Sequence, residues 1–378
     1  MNSLLRIAVS ISMLLCIPGC DRPGTPPSGL KIKIGVIAPN SGPDSVLGKG
    51  GVKGINIAMA LDPYLENGDE IELIVENDHS DPDKTVSALE SLANNHEVSA
   101  ILLLSGSNSA IEVAKIADRY KTPVLATIAT NPEVTSHSKL VSQLVFNNTV
   151  QATVAAMFVR DELFVRRVAL FSNPQNLYSS HLARVFADKF KAVGGRITDF
   201  IELSDEPVNH SKLLERVRTN DPELLYMPTG AGFIVAIAKE LNNLDWSPKM
   251  MAAEGFLSTV ISHYDSDRHL VSGMFTTALY PSDMRLSSYG KRLSKYVDKT
   301  DVNIYMSTGM EGYGLLLNAM NRCNTPVDRK CINKNIRSTD NFTGIADKIS
   351  VGSDGKAHRA LFVNRIDGHK IKTVVKVN

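Results

Sequence analysis

Lys31-Ile-Lys-Ile-Gly-Val-Ile-Ala38 runs into Pro39-Asn40-Ser41-Gly42-Pro43, a short apolar run that ends in a cluster of turn residues. Such a run bounded by Gly, Pro, Asn and Ser reads as a β-strand. The residues that follow change period. Gly51 to Leu65 fits a helix, with Ile55, Ala58, Met59 and Asp62 sampling the helical repeat. Glu70 to Glu76 is a second strand, stopped by Asn77-Asp78-His79-Ser80-Asp81-Pro82, and Asp83 to Asn95 is a helix with Val86, Leu89 and Leu92 inward. Ala100 to Leu104 reads as a fully buried strand, Ser107 to Tyr120 as the next helix, and Pro123 to Thr127 as the next strand.

The rhythm breaks near Val141 to Val150 and resumes. Strands fit Val168–Ser172, Arg196–Glu202, Leu224–Met227 and Met250–Ala253, with helices over Ser179–Val193, Ser211–Thr219 and Phe233–Leu241 between them. Strands alternating with helices of this length mean open, mostly parallel sheets with helices on both faces. Toward the C-terminus the alternation stops. Two helices, Met284 to Val297 and Ile304 to Asn321, precede β-type runs at Asp347–Val351, Ala360–Arg365 and Lys370–Lys376, which carry hairpin signals at Ser353-Asp354-Gly355 and Asp367-Gly368. The fold class is therefore α/β with two lobes. Ligands bind such sheets where strand carboxyl ends meet helix N-termini, and two facing lobes make a cleft.

The N-terminus fixes the compartment. Met1 to Gly19 has a short leading segment with Arg6 and an apolar stretch from Ile7 to Ile17, too short for a bilayer span of about 20 residues. It reads as a signal peptide, with small Gly19 just before Cys20. Ile17-Pro18-Gly19-Cys20 resembles a bacterial lipobox, which implies a lipid on Cys20 and makes residues 20–30 a Pro/Gly-rich tether. The mature chain is expected outside the cytoplasm, lipid-anchored to the cell membrane and facing the periplasm or the cell exterior.

Composition excludes several classes. Hydrophobic residues are 43% and charged residues 21%, a mix that supports full cores. Lys+Arg 41 against Asp+Glu 40 leaves no basic excess, so no nucleic-acid partner is expected. No Cys-x-x-Cys or His-x-x-x-His spacing indicates a metal, and there is no P-loop or Gly-x-Ser-x-Gly elbow, so neither cofactor nor catalysis is expected. Cys323 and Cys331, an exported pair closing a short loop, are expected to form a disulfide.

Several stretches resemble the type I periplasmic binding proteins of the leucine/isoleucine/valine-binding branch, the receptors of ABC importers. They are Ile32 to Pro43 with its Ser-Gly-Pro turn; Asp78-His-Ser-Asp-Pro82; Ser105-Gly-Ser-Asn-Ser109; Thr127-Ile-Ala-Thr-Asn-Pro-Glu-Val-Thr135; and Met250-Met-Ala-Ala-Glu-Gly255. The resemblance implies three crossings between lobes, with residues 31–145 and 276–341 in lobe 1 and residues 146–275 and 342–378 in lobe 2. It also implies a small-molecule ligand, an amino acid or similar solute, and a membrane ABC permease as partner. The same fold also serves ligand-sensing or regulatory lipoproteins, such as an amide-type sensor or the activator of a cell-wall synthase.

The resemblance names a site whose chemistry the residue types suit. Out of water, the carboxylate and ammonium of an amino acid each need a partner. Ser107 opens a helix, where free N–H groups favour a carboxylate; the bland alternative is a plain helix cap. Thr130 and the carbonyl of Ile128 would take the carboxylate and the ammonium; Thr130 is otherwise a loop threonine. Glu254, at a strand end before Gly255, would pair with the ammonium; otherwise it is a solvated carboxylate. Tyr178 matches a tyrosine that closes over the ligand. Leu47 and Gly230 stand where the branched-chain receptors carry aromatic walls, which puts branched-chain specificity in doubt.

Overall fold

The computed structural model describes residues 28–203, 209–297 and 303–377. The signal peptide, Cys20 and most of the tether lie outside the described residues.

The first half runs β1 (Ile32–Ala38), α1 (Ser45–Leu61), β2 (Ile71–Asn77), α2 (Pro82–Glu90), β3 (Ala100–Leu103), α3 (Ser107–Tyr120), β4 (Val124–Ala126) and β5 (Val141–Gln143). All five strands are parallel, in the order β2-β1-β3-β4-β5. Val36, Leu102 and Leu125 face one side of this sheet and Ile37, Leu103 and Ala126 the other, which is why these runs read as continuously apolar.

The second half runs α4 (Asn148–Met157), β6 (Arg167–Ser172), α5 (Leu177–Ala192), β7 (Arg196–Glu202), α6 (His210–Arg218), β8 (Leu224–Met227), α7 (Ala231–Asn243), β9 (Lys249–Ala252), α8 (Phe256–His263) and β10 (Phe275–Ala278). The chain continues through α9 (Ser288–Leu293), α10 (Ile304–Asn321), α11 (Arg329–Ile336), β11 (Phe342–Thr343), β12 (Lys348–Val351), β13 (Ala357–His358), β14 (Leu361–Asp367) and β15 (Lys370–Val377). The second sheet has the order β15-β14-β10-β9-β8-β6-β7, with β14 and β15 antiparallel additions. Gly368 and His369 turn that final hairpin, between the paired Asp367 and Lys370.

Two lobe boundaries differ from the sequence expectation. Phe275–Ala278 pairs with β9 and β14, so the second crossing comes after Ala278 rather than at residue 276. β11 to β13 belong with lobe 1, because Ile345, Ile349 and Val351 bury into the core of β1 and α10. The third crossing therefore falls between β13 and β14 rather than at residue 342. Alternation marks a strand but not the sheet it joins. Val145, Phe146, Leu279 and Leu361, one or two residues from each crossing, pack together as a hinge core.

An ionic cluster sits beside that hinge. Arg359 donates to Glu311 Oε2 at 2.8 Å and to Asp347 Oδ1 at 2.8 Å, with Arg359 and Glu311 side chains fully buried. Tyr280, from the second crossing, donates to Glu311 Oε2 at 2.9 Å. Arg359, from the third crossing, lies over the Tyr280 ring. Two hinge strands are thereby fastened to α10.

No helix is expected from the sequence at α4, α8 or α11, and two of the expected helices have other bounds. α1 begins at Ser45, six residues before Gly51, and the glycines of that added segment serve packing: a Cβ at Gly50 would lie 2.9 Å from the Tyr305 Cβ of α10. The helix expected over Met284–Val297 shrinks to α9, started by Ser287 accepting from Gly290 N. Cys323 and Cys331 bring their sulfurs 2.09 Å apart, bridging α10 and α11. Among the described residues no helix is long and apolar enough to cross a membrane, and no group of three or more His, Cys, Asp or Glu is placed to hold a metal ion.

Candidate functional site

Between the lobes lies a cavity of about 480 Å³, within the roughly 300–1,000 Å³ typical of small-molecule sites. It lies where the doubly wound topology predicts, at the carboxyl ends of both sheets and the N-termini of α3, α5, α7 and α8. Leu47, Ser107, Ile128 and Thr130 line it from lobe 1, and Tyr178, Gly230 and Glu254 from lobe 2. All seven residues singled out in the sequence thus meet in one cavity.

Lobe 1 presents donors. Ser107 is the first residue of α3, and Gly106 holds the cap position without a side-chain bond. The hydroxyl of Ser107 is therefore not a helix cap. It accepts from Asn131 N at 3.3 Å, which leaves its proton to give. Thr130 is 1% exposed, yet its Oγ1 has no hydrogen-bond partner. A buried hydroxyl left unpaired costs about 1–3 kcal/mol, and this one lines the cavity, where a ligand atom can meet it. Gln143, fully buried, holds the turn by donating to Ala129 O at 2.8 Å and Asn131 O at 3.0 Å. The Ile128 carbonyl takes no hydrogen bond from the described residues.

Lobe 2 presents a carboxylate. Gly255, at φ +84°, adopts the left-handed conformation that ends β9 and starts α8, and it swings Glu254 onto the cavity wall. Tyr178 donates to Glu254 Oε2 and to the Glu254 carbonyl, each at 3.1 Å. Gln151 accepts from Glu254 N at 3.0 Å. Burial raises the Glu254 carboxyl to about 7, against the opposing hydrogen bonds from Tyr178, Gln151 and its own amide. Burial and the neighbouring Glu254 push Tyr178 well up, so it stays a neutral donor. Tyr178 therefore enters the site through Glu254, which it orients.

Neither position 47 nor position 230 supplies an aromatic wall, although Tyr178, Phe256 and Tyr305 line the cavity elsewhere. Leu47 is half-buried on the cavity wall, and a Cβ at Gly230 would meet nothing within 4 Å. The space at Gly230 is open.

Besides Gln143 and Gln151, four more residues at the site escaped the sequence reading. Asn108 donates to Gln175 O at 2.8 Å and accepts from Leu177 N at 2.9 Å, joining α3 of lobe 1 to the start of α5 in lobe 2. Asn131 adds a bond to Leu177 O at 2.9 Å. Tyr305, opposite Glu254, is pushed up to about 12 by burial, with Glu254 and Asp44 contributing. Asp44 lines the mouth of the cavity from the N-terminus of α1. Only the Asn side chains at a helix start carried any signal, and it was indistinguishable from ordinary capping. The lobes are thus latched across the cleft.

The periplasmic binding protein family matches residues 31–370. Similar solved structures include the leucine binding protein LivK of Thermotoga maritima MSB8, 26% identical, with a TM-score of 0.84 over 92% of this chain and 99% of that one. LivJ from Streptococcus pneumoniae str. Canada MDR_19A, solved with isoleucine, is 16% identical, with a TM-score of 0.81 over 92% and 100%. A solute binding protein of an ABC transporter from Rhodopseudomonas palustris BisB5, solved with 3,4-dihydroxy benzoic acid, is 17% identical, with a TM-score of 0.81 over 92% and 97%. No curated protein matches the sequence. With two facing α/β lobes, a cavity at their strand ends and a family match over nearly the whole described chain, this chain belongs to the periplasmic binding protein family.

Proposed function

We propose that this chain is the exported solute-binding component of an ABC importer and that it captures an amino acid, or a solute carrying the same ammonium–carboxylate pair, between its lobes. The observation that carries the reading is the pairing across one cavity of Glu254 with the unpartnered Thr130 Oγ1 and the Ser107 hydroxyl. The ammonium pairs with Glu254 and the Ile128 carbonyl; the carboxylate takes the Ser107 and Thr130 hydroxyls and the N-terminus of α3. Among the described residues lining the cavity none is Lys, Arg or His. That disfavours a ligand with a carboxylate alone, such as the 3,4-dihydroxy benzoic acid carried by one of the similar structures, because its charge would meet no cationic side chain and would require Glu254 to be protonated.

Closure around the ligand gives the permease a shape it distinguishes from the open form, with the Asn108 latch among the contacts made only on closing. No chemical step is assigned to the site. Lipid attachment at Cys20 belongs to the same proposal and rests on the sequence of residues 17–20. A thermal-shift screen of the purified protein against amino acids, amides, urea and small organic acids tests it. A ligand at 100 times its dissociation constant stabilises by about 2.7 kcal/mol. A shift with amino acids supports the reading; shifts only with acids lacking an amine, or with none of the compounds, refute it.

A further inference from the structure

We propose that the ligand carries a second cationic group, on its side chain, and that Asp44 receives it: the site selects a basic amino acid over a neutral one. This rests on the amino-acid reading and names the substrate class for the same site. Asp44 stands at the N-cap of α1, the position where an aspartate ordinarily accepts from its own helix, but it makes no side-chain cap bond. Its backbone N–H is fixed by Ser80 Oγ at 3.0 Å, and Ser80 in turn donates to Ser41 O at 3.0 Å, so the residue is held while its carboxylate is left free. That carboxylate has no ion-pair partner among the described residues and lines the cavity beside the start of α3.

Charge balance argues the same way. The described cavity lining holds two carboxylates, Asp44 on lobe 1 and Glu254 on lobe 2, and no cationic side chain. A zwitterion with a neutral side chain satisfies Glu254 and leaves Asp44 unmatched; a second ligand cation leaves neither. Desolvation and the nearby Asp78 push the Asp44 carboxyl upward, and a cation beside it opposes that shift. Space is provided as well. Leu47 offers an aliphatic wall for a methylene chain, and Gly230 leaves open the volume that a larger side chain would fill. Asp44 is exposed at the mouth, so the cationic tip stays partly hydrated while its stem is buried.

Isothermal titration with near-isosteric pairs tests this: lysine against norleucine, and arginine against citrulline. The expected result is tighter binding of the cationic member of each pair by about threefold or more, shrinking with added salt and collapsing toward equality in Asp44→Asn. Melting of unliganded Asp44→Asn at the wild-type temperature would establish that the variant is folded. Equal or tighter binding of the neutral members, or a preference that survives Asp44→Asn, overturns the proposal while leaving the amino-acid reading standing. No binding by any of the four overturns it as well, and the wider screen then decides whether the amino-acid reading fell with it.

Discussion

Glu254→Gln removes the charge on which the proposed ammonium contact depends and keeps the shape. In the wild type the carboxylate is oriented by Tyr178 at 3.1 Å and its backbone by Gln151 at 3.0 Å, so a ligand ammonium meets a fixed acceptor. A charge-assisted hydrogen bond contributes about 1.5–3 kcal/mol. Its loss raises the dissociation constant by roughly 10- to 150-fold. Acidity adds a second signature. With the carboxyl raised to about 7, the unliganded site takes up a proton as pH falls through neutrality. An ammonium ligand needs the ionised form, so affinity falls about tenfold per pH unit below 7 and levels off above it.

Stability of the unliganded protein runs the other way. A carboxylate whose folded pKa exceeds its unfolded value binds protons more tightly when folded. Its contribution is most favourable below the unfolded pKa and is lost as pH rises from there through about 7. Titration calorimetry and thermal melts from pH 5 to 8 should therefore give opposite slopes in the wild type, and both components should flatten in Glu254→Gln. Wild-type affinity that is level across this range, or a Glu254→Gln variant that binds as the wild type does, would refute the assignment of the ammonium to Glu254.

Other consequences concern the latch, the hinge and the cysteines. Asn108→Ala removes two bonds between the lobes and should weaken ligand binding by about 1–2 kcal/mol, roughly five- to thirtyfold; titration reads this, and unaltered affinity counts against a latch. Arg359→Met leaves Glu311 buried without its cation and should cost about 3–5 kcal/mol in denaturant unfolding. A loss below 1 kcal/mol would mean that the cluster does not hold the hinge to α10. Cys323 and Cys331 should be oxidised in the exported protein, seen as an intact mass short of two hydrogens. Cys331→Ser should cost about 2.5 kcal/mol for a loop of this length; free thiols in the purified protein would contradict the bond.

The sheets were legible because buried parallel strands such as Ala100–Leu103 are apolar at every position and are bounded by turn residues. Lobe membership after β10 was not, since β12 and β14 both read simply as β-type runs and only tertiary packing sends Ile349 to one core and Val363 to the other. The first turns of α1 fall outside the expected helix, which begins at Gly51, because their glycines are stabilised by close approach to α10, not by propensity.

At the site, Ser107, Thr130 and Glu254 were legible through a resemblance, since a serine at a helix start and a glutamate at a strand end are ordinary on composition alone. Gln143 and Gln151 were not, because supporting amides act through burial that no local pattern reports. Asp44 was hidden because the helix was expected to begin only at Gly51, so nothing in the sequence placed an aspartate at its cap position, let alone one without a cap bond.

The most direct measurement is a crystal structure of the protein with the tightest ligand from the screen. The account predicts that ligand in the interlobe cavity, its ammonium within hydrogen-bond distance of Glu254 and its carboxylate against Ser107 Oγ and Thr130 Oγ1. A ligand bound outside the cavity, or one whose ammonium faces away from Glu254, would contradict it.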